Sequence, residues 1–286
     1  MRLRLLAALI PIALTACVAM PSEEAAVAVA VAAPYAELDR TIAGDWRDAK
    51  NSARDMYRHP RETLAFFGVR PEQTVVEITP GGGGWYAEIL APYLRGRGQY
   101  IAAVVDPARV EAGRSRDYQQ KTRSTLEAKL AAAPAQYDRA RVVAFDSKAP
   151  VFGPAGSADV VLTFRNVHNW VADDNAAAWF RGFHDVLKPG GVLGVVDHRA
   201  RPGTPLETMK KSGYLTEALV IQLATAAGFR LDAKSEINAN PRDTADHKNG
   251  VWTLFPTGRH DPEDAARYRE IGESDRMTLR FIKPAG

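Results

Sequence analysis

The sequence has little cysteine: Cys17 is the only one among 286 residues. An intrachain disulfide and a metal cluster held by several thiolates are therefore excluded. The chain also lacks a long basic run, and its net charge is only +3, falling to +1 without Arg2 and Arg4. This pattern argues against nucleic acid as the main partner. The hydrophobic content of 46% is enough for a full core, in one large domain or two small ones.

The first 17 residues have the pattern of an export signal. Residues 1–4 form a short basic head, and the apolar run over 5–14 is too short to span a bilayer comfortably. The segment 14–17, which ends in Cys17, resembles the lipobox of bacterial lipoproteins. The resemblance implies cleavage before Cys17, a lipid anchor on it and, since Val18 follows, an outer-membrane lipoprotein facing the periplasm. The alternative is a plain secretory leader with an unmodified cysteine.

The rest of the chain divides into a tether and one domain. Residues 18–34 are rich in alanine and valine, and we predict a flexible tether there, followed by a domain over 35–286 with a polar insertion over 238–275. Helices are predicted over 35–51, 55–67, 85–94, 108–133, 175–187 and 214–227. Strands are predicted over 74–78, 99–105, 141–145, 158–163, 192–196, 230–237 and 277–282. This alternation, with continuously apolar strands, indicates an α/β fold with a largely parallel sheet covered on both faces.

A glycine loop is the most informative stretch. An apolar strand ends at Glu77, four glycines follow over 81–84, and a helical pattern begins at Trp85. Such a loop lets the backbone approach a ligand closely and points the first helical N–H groups at an anionic group. It is not a Walker loop, and Tyr86 stands where the dinucleotide fingerprint needs a third small residue. The plainer alternative is a glycine-rich surface turn.

These features resemble the class I S-adenosylmethionine-dependent methyltransferases over about residues 55–286. The first motif of that family matches at Glu77, Gly81 and Gly83, although Thr79 stands where its first glycine usually is. The phrase over 187–193, with its Lys-Pro-Gly-Gly sequence, matches the family before the fifth strand. The ending over 272–281 is similar to that of an uncharacterised bacterial group of predicted methyltransferases. The resemblance implies a three-layer, Rossmann-like, seven-stranded sheet, mostly parallel with an antiparallel last strand.

The resemblance also implies a site for S-adenosylmethionine at the carboxyl ends of the strands, where such sheets bind ligands. It implies that the loop amides meet the methionine carboxylate and that Glu77 takes the ammonium group. Asp106 would accept the ribose hydroxyls and Asp146 the adenine amino group. For both aspartates the alternative is a helix N-cap. The segment 165–167 resembles quinone-biosynthesis methyltransferases, and we place Thr79, Gly81, Gly83, Arg165 and Asn166 in the cofactor site.

Two histidines are candidates for a general base that deprotonates the methyl acceptor. His168 is the first choice, since an ordinary histidine pKa of about 6.5 suits proton removal at neutral pH. His198 is the second choice, and the alternative for both is a hydrogen-bonded structural histidine. No metal site is proposed: Asp197 and His198 could be grouped with residues 173–174, but their spacing does not require it. The insertion either covers the site or lies at an edge.

The predicted function is therefore methyl transfer from S-adenosylmethionine to an unidentified small molecule. One difficulty is that this cofactor is made and used in the cytoplasm, whereas the leader implies the periplasm. The main alternative is a non-catalytic periplasmic protein that uses the same fold to bind an adenosine-like or other small ligand. A nicotinamide-dependent oxidoreductase is disfavoured by the glycine spacing. An antiparallel seventh strand would distinguish the methyltransferase sheet from the dinucleotide-binding fold.

Overall fold

Seven strands form a single mixed sheet in the computed structural model, which describes residues 35–285. The predictions for the leader, Cys17 and the tether lie outside the described residues. The strands are β1 (Thr74–Ile78), β2 (Gln99–Val105), β3 (Arg141–Phe145), β4 (Ala158–Phe164), β5 (Leu187–His198), β6 (Arg230–Ser235) and β7 (Arg276–Ile282).

The strand order across the sheet is β3-β2-β1-β4-β5-β7-β6. All pairs from β3 to β5 are parallel, and β7 runs antiparallel to both β5 and β6. The prediction of a mostly parallel sheet with an antiparallel last strand is confirmed. This strand separates the sheet from the all-parallel dinucleotide-binding arrangement.

Helices cover both faces of the sheet. They are α1 (Ala36–Ile42), α2 (Ala49–Ser52), α3 (Asp55–Arg58), α4 (Pro60–Phe66), α5 (Ala87–Leu94), α6 (Arg114–Ala132), α7 (Pro134–Tyr137), α8 (Val167–Ala172), α9 (Ala176–Val186), α10 (Leu206–Ser212), α11 (Glu217–Ala226) and α12 (Ala265–Ile271). In residues 35–285, none of these helices has the length and apolar character needed to cross a membrane.

Two apolar cores separate the three layers. Successive side chains of a strand point to opposite faces of a sheet. Val76 of β1 therefore packs in one core with Phe180 of α9 and Val220 of α11. Val75, its neighbour in the chain, packs in the other core with Leu90 of α5. The predicted three-layer α/β architecture is confirmed.

Two of the predicted helices are broken in the structure. The segment 35–51 holds α1 and α2 rather than one helix: turns separate them over 43–47, and the Asp48 side chain caps α2 by accepting from Lys50 N. The segment 55–67 is interrupted at His59, which has a left-handed φ of 41°. The cause is Pro60, since the residue before a proline is disfavoured in the α conformation.

The predicted helix over 108–133 begins only at Arg114. A short 3-10 turn (Pro107–Arg109) follows Asp106, and Gly113 has a φ of 130° that a helix cannot contain. The helix after the glycine loop begins at Ala87 rather than at residue 85. Each boundary moves because a turn with its own cap or glycine precedes the helix.

Candidate functional site

The glycine loop follows β1 and keeps the left-handed backbone that glycine would favour at position 79. Thr79 has a φ of 47° and Gly81 one of 73°. Threonine is seldom found there, so the loop holds local strain of the kind that often marks functional sites. The hydrogen bond from Thr79 N to Ala103 O, 2.8 Å, fixes this conformation. The Thr79 hydroxyl is buried and has no hydrogen-bond partner within residues 35–285.

The four glycines of the loop divide into two pairs. A Cβ on Gly82 would lie 3.1 Å from Thr125, and one on Gly84 would lie 3.0 Å from Leu126, so these two glycines let α6 pack closely. A Cβ on Gly81 or Gly83 would meet nothing within 4 Å. The second pair, together with Gly84, lines a cavity of about 210 Å³. The loop therefore offers open backbone on the side where a ligand would lie.

Glu77 is the penultimate residue of β1, lines this cavity and is 2% exposed. Burial raises the pKa of Glu77 to about 7, although the hydrogen bond from Tyr100 and the charge of Arg58 oppose the rise. The Tyr100 hydroxyl donates to Glu77 Oε2 at 2.7 Å. A carboxyl held in this state can give up its proton when a cation is placed beside it. The predicted role for Glu77, pairing with an ammonium group, stays a prediction.

Asp106 and Asp146 lie after β2 and β3 at the same edge of the sheet. Asp106 Oδ1 accepts from Ala108 N at 3.1 Å and so caps the 3-10 turn that follows. Asp146 Oδ1 accepts from Lys148 N at 2.9 Å. The capping alternative thus holds for Asp106, and Asp146 stabilises a turn in the same way. Neither is among the side chains lining the glycine-loop cavity, and their cofactor roles stay predictions.

Arg165 and Asn166 follow β4 and line the cavity from its other side. Asn166 Nδ2 donates to Ile78 O at 3.1 Å and to Phe164 O at 3.2 Å, which ties the ends of β1 and β4 together. Arg165 has a left-handed φ of 61°. Its guanidinium donates no hydrogen bond to any residue that the structure describes. Asn166 therefore shapes the site, whereas the side chain of Arg165 is available to a ligand.

His168 lies in α8, one turn after β4, and pairs with a carboxylate that ends β5. His168 Nδ1 lies 2.9 Å from Asp197 Oδ1, and the His168 backbone N–H donates to Asp197 Oδ2 at 3.3 Å. Asp197 is fully buried and His168 is 6% exposed. The carboxylate holds the ring in one orientation and favours the tautomer with the proton on Nδ1. Nε2 is then left as the basic nitrogen.

His198 lies beside His168, with the two ring centroids 5.0 Å apart. Its Nδ1 is 2.6 Å from the hydroxyl of Ser274. Burial lowers the pKa of His198 well below its ordinary value, and the charges of His168 and Arg165 lower it further. His198 is therefore neutral at pH 7. The structure brings together the two histidines predicted as candidate bases, and His168 alone has a carboxylate partner.

The same side chains are also the one group within 35–285 that could converge on a metal ion. His168, Asp197 and His198 each offer one donor atom, and these atoms lie within 4.8 Å of one another. The carboxylates at 173–174 do not join them, and Asp174 instead pairs with Lys210 at 2.5 Å. The hydrogen bonds to Asp197 and Ser274 engage Nδ1 of each ring and leave Nε2 of each as the remaining donor atom.

A second cavity, of about 240 Å³, lies over the two histidines. Its far wall comes from the insertion, through Trp252 and Phe255. The insertion therefore covers the site rather than lying at an edge. Arg165 lines both this histidine cavity and the glycine-loop cavity, so the two adjoin at that side chain.

Sequence reasoning missed three arginines that pair with Glu273. This buried carboxylate accepts from Arg54 Nε at 2.6 Å, from Arg58 Nε at 3.4 Å and from Arg276 Nη2 at 2.5 Å. Burial alone would raise the pKa of Glu273, but the arginines outweigh it and hold the pKa at about 2. The charged segment over 272–281 contains Glu273 and Ser274. It was the one feature of the sequence that could have indicated these contacts.

Comparisons with known proteins agree on the fold. No protein-family model matches the chain, and no curated protein does. Among solved structures, an S-adenosylmethionine-dependent methyltransferase from Aquifex aeolicus is 14% identical, with a TM-score of 0.54, and the match covers 86% of this chain and 98% of that one. The cyclase SpnF is 16% identical, also with a TM-score of 0.54, over 91% of this chain and 96% of its own. The described residues thus have the class I methyltransferase fold. One of the two similar proteins, SpnF, is a cyclase.

Proposed function

We propose that this protein transfers a methyl group from S-adenosylmethionine to the oxygen or nitrogen of a small molecule. The glycine-loop cavity would hold the methionine portion of the cofactor, the ribose would extend to Asp106 outside it, and the histidine cavity would hold the acceptor. The observation that carries the proposal is their junction at Arg165, which places a carboxylate-paired histidine beside the loop. An acceptor bound over His168 would therefore lie next to a cofactor bound at the loop.

The residues around the glycine loop fit the cofactor. The buried, unpartnered hydroxyl of Thr79 needs a polar ligand atom, and Gly81 and Gly83 leave backbone open to one. Glu77 would pair with the ammonium group of the methionine portion. Asp106 would bind the ribose hydroxyls through Oδ2, since its Oδ1 is engaged by Ala108 N. When bound, S-adenosylmethionine supplies an electrophilic methyl group.

His168 would act as the general base. Its Nε2 takes the proton from the acceptor while Asp197 stabilises the imidazolium that forms, as in other carboxylate–histidine pairs. The proton ends on His168 and leaves to solvent after the methylated product is released. His198, neutral and bonded to Ser274, would orient the acceptor rather than compete for its proton.

The first test is calorimetric titration of the purified protein with S-adenosylmethionine and S-adenosylhomocysteine. We expect both to bind and Asp106→Ala to weaken binding by about 1–3 kcal/mol, because ribose hydroxyls would lose their partner. Asp185→Ala, a change at an exposed carboxylate away from both cavities, should leave the affinity unchanged. A folded protein that binds neither ligand would refute the proposal and require another ligand for the glycine loop.

We also propose, from the leader alone, that the protein is an outer-membrane lipoprotein anchored at Cys17. Cells fed a labelled fatty acid should incorporate the label into the wild-type protein, and Cys17→Ser should abolish incorporation. The labelled protein should fractionate with the outer membrane. A label that persists in Cys17→Ser would contradict the anchor at Cys17. An uncleaved chain in the cytoplasm would contradict any exported lipoprotein and would also remove the difficulty of cofactor supply.

A further inference from the structure

We infer that the methyl acceptor is an anion, and that its carboxylate or phosphate group binds Arg165 at the junction of the two cavities. The inference rests on the proposed function and narrows its acceptor to a class of small molecule. It follows from the arginine cluster, defined as Arg54, Arg58, Arg165 and Arg276, which surrounds the single carboxylate of Glu273.

The cluster holds more positive charge than its neighbours neutralise. Glu273 pairs directly with three of its arginines but supplies only one negative charge. Asp197 adds a second negative charge nearby, and Glu77, whose pKa is raised to about 7 by burial, adds only part of a third. Four guanidinium groups therefore face fewer than three full carboxylate charges, in a partly desolvated site where such an imbalance is costly.

Two arginines of the cluster have donors without a protein partner. Arg58 is 5% exposed, lines the glycine-loop cavity, and its Nη2 is buried with no hydrogen bond. Arg165 is half-buried and donates to no described residue. Burial lowers the pKa of Arg165 to about 10, with the nearby charge of Arg276 also lowering it and that of Glu273 opposing. The buried donor of Arg58 needs an acceptor from outside the chain, and the unpaired guanidinium of Arg165 is open to one.

The cofactor cannot supply the missing negative charge by itself. Its methionine carboxylate is outweighed by the sulfonium and the ammonium, so bound S-adenosylmethionine would add one positive charge to the site. Its carboxylate can occupy the donors of Arg58 beside the loop. Arg165, which lines the histidine cavity, would still lack an anion. With a neutral acceptor, the positively charged cofactor and the guanidinium of Arg165 would lie next to each other with no negative charge between them.

An anionic acceptor would both pair with Arg165 and offset the positive charge of the cofactor. Its charged group would pair with Arg165, and its nucleophilic oxygen or nitrogen would reach His168, in a cavity of about 240 Å³ walled by Trp252 and Phe255. Guanidinium binds carboxylate and phosphate through parallel hydrogen bonds, which fixes the orientation of the acceptor as well as its position. The aromatic walls favour a flat, unsaturated body between the two polar ends.

The test uses fluorinated probes and ligand-observed ¹⁹F NMR, which detects weak binding. The carboxylate probe is 4-fluorobenzoate, its neutral match is 4-fluorobenzamide, and the phosphate probe is monofluorophosphate. Each is titrated into the full-length protein with and without saturating S-adenosylhomocysteine. The proteins are wild type, Arg165→Gln, Arg165→Lys, and Arg201→Gln, a surface arginine whose side chain is 69% exposed.

We expect wild type and Arg201→Gln to bind at least one anionic probe about tenfold more tightly than the benzamide. Arg165→Gln should lose this preference and Arg165→Lys should keep much of it. Which anion binds more tightly distinguishes a carboxylate acceptor from a phosphate acceptor.

Equal affinity for benzoate and benzamide, with no binding of monofluorophosphate, would overturn the inference. So would an unchanged preference in Arg165→Gln, or displacement of the anion by S-adenosylhomocysteine, which would mean that the arginines serve only the cofactor carboxylate. Failure of S-adenosylhomocysteine to bind would refute the proposed function separately, since anion binding is read independently in the cofactor-free protein.

Discussion

The glycine-loop cavity and the histidine cavity adjoin at Arg165 but are built in different ways. The first is formed largely by one continuous stretch, from Glu77 at the end of β1 through the loop to Tyr86. The second is assembled from segments far apart in the chain, including His168 in α8, His198 at the end of β5 and Trp252 in the insertion. A cavity made by local sequence leaves a motif, whereas one made by tertiary packing does not.

The two cavities also differ in what the protein itself satisfies. In the glycine-loop cavity a buried hydroxyl, that of Thr79, has no hydrogen-bond partner among the described residues. In the histidine cavity, the Nδ1 atoms of both histidines are paired with Asp197 and Ser274. The first cavity is therefore prepared to bind, and the second is prepared to hold two imidazoles in fixed orientations. Variants that change ligand binding and reaction rate separately can test this distinction between the two cavities.

The largest expected effect is on rate, from His168→Gln. We expect kcat with a methyl-accepting substrate to fall by about 10²–10⁴-fold, since a general base contributes that much. The affinity for S-adenosylhomocysteine should stay unchanged, because His168 lines only the histidine cavity. The measurements are the rate of S-adenosylhomocysteine release and calorimetric titration of the same protein. His260→Gln, a histidine outside both cavities, is the matched control.

A chelator tests the rival role of the same side chains. If EDTA abolished turnover and Zn²⁺ restored it, the group formed by His168, Asp197 and His198 would hold a metal, and the assignment of His168 as a base would be wrong. A rate that His168→Gln leaves intact would equally contradict it. A loss of cofactor affinity in this variant would show that the two cavities do not work separately.

The next largest effect is on stability, through Glu77. Its pKa is raised by burial from 4.5 to about 7 in the folded protein, so the folded state binds the proton more tightly than the unfolded chain. The free energy of unfolding should therefore fall by about 3 kcal/mol as pH rises from about 4.5 to above 7. Glu77→Gln should remove this part of the decline. Urea unfolding at pH 5 and pH 8 measures it.

The control for this pH effect is Glu111→Gln, since the Glu111 side chain is 90% exposed and should leave the pH dependence unchanged. Glu77→Gln should also weaken binding of S-adenosylmethionine, because the amide cannot neutralise the ammonium group. An unaltered stability profile in Glu77→Gln would mean that the carboxylate is not held protonated. An unaltered affinity for S-adenosylmethionine would mean that Glu77 does not bind the ammonium group.

These differences explain what the sequence could predict. β1, β2 and β3 match their predicted bounds to the residue, because each is a short apolar run stopped by a turn or an acid. The glycine loop was located by the same local signals. Thr79 stands where the family usually has glycine, so the sequence alone did not show whether the loop keeps the backbone that glycine allows. The structure shows that it does, because Thr79 has a left-handed φ of 47°.

For the histidine cavity, the sequence could predict individual candidate residues but not the contacts between them. His168 and Asp197 are 29 residues apart, and their pairing depends on where α8 begins and on the register of β5 beside β4. The cluster around Glu273 joins residues about 215 positions apart. No periodicity or spacing encodes such contacts, because they follow from the order of the strands across the sheet.

The smallest expected effect compares two neighbouring glycines, Gly82 and Gly83. A methyl group on Gly82 would lie 3.1 Å from Thr125 Cβ and 3.3 Å from Thr122 O, so Gly82→Ala should lower the free energy of unfolding by about 1 kcal/mol. A methyl group on Gly83, which lines the glycine-loop cavity, would meet no protein atom within 4 Å, so Gly83→Ala should keep its stability. It should instead weaken S-adenosylhomocysteine binding by about tenfold, through a clash with the ligand. Thermal unfolding and calorimetry of both variants measure the pair. The opposite pattern would place the ligand on the α6 side of the loop and remove the basis for a cofactor cavity that adjoins Arg165.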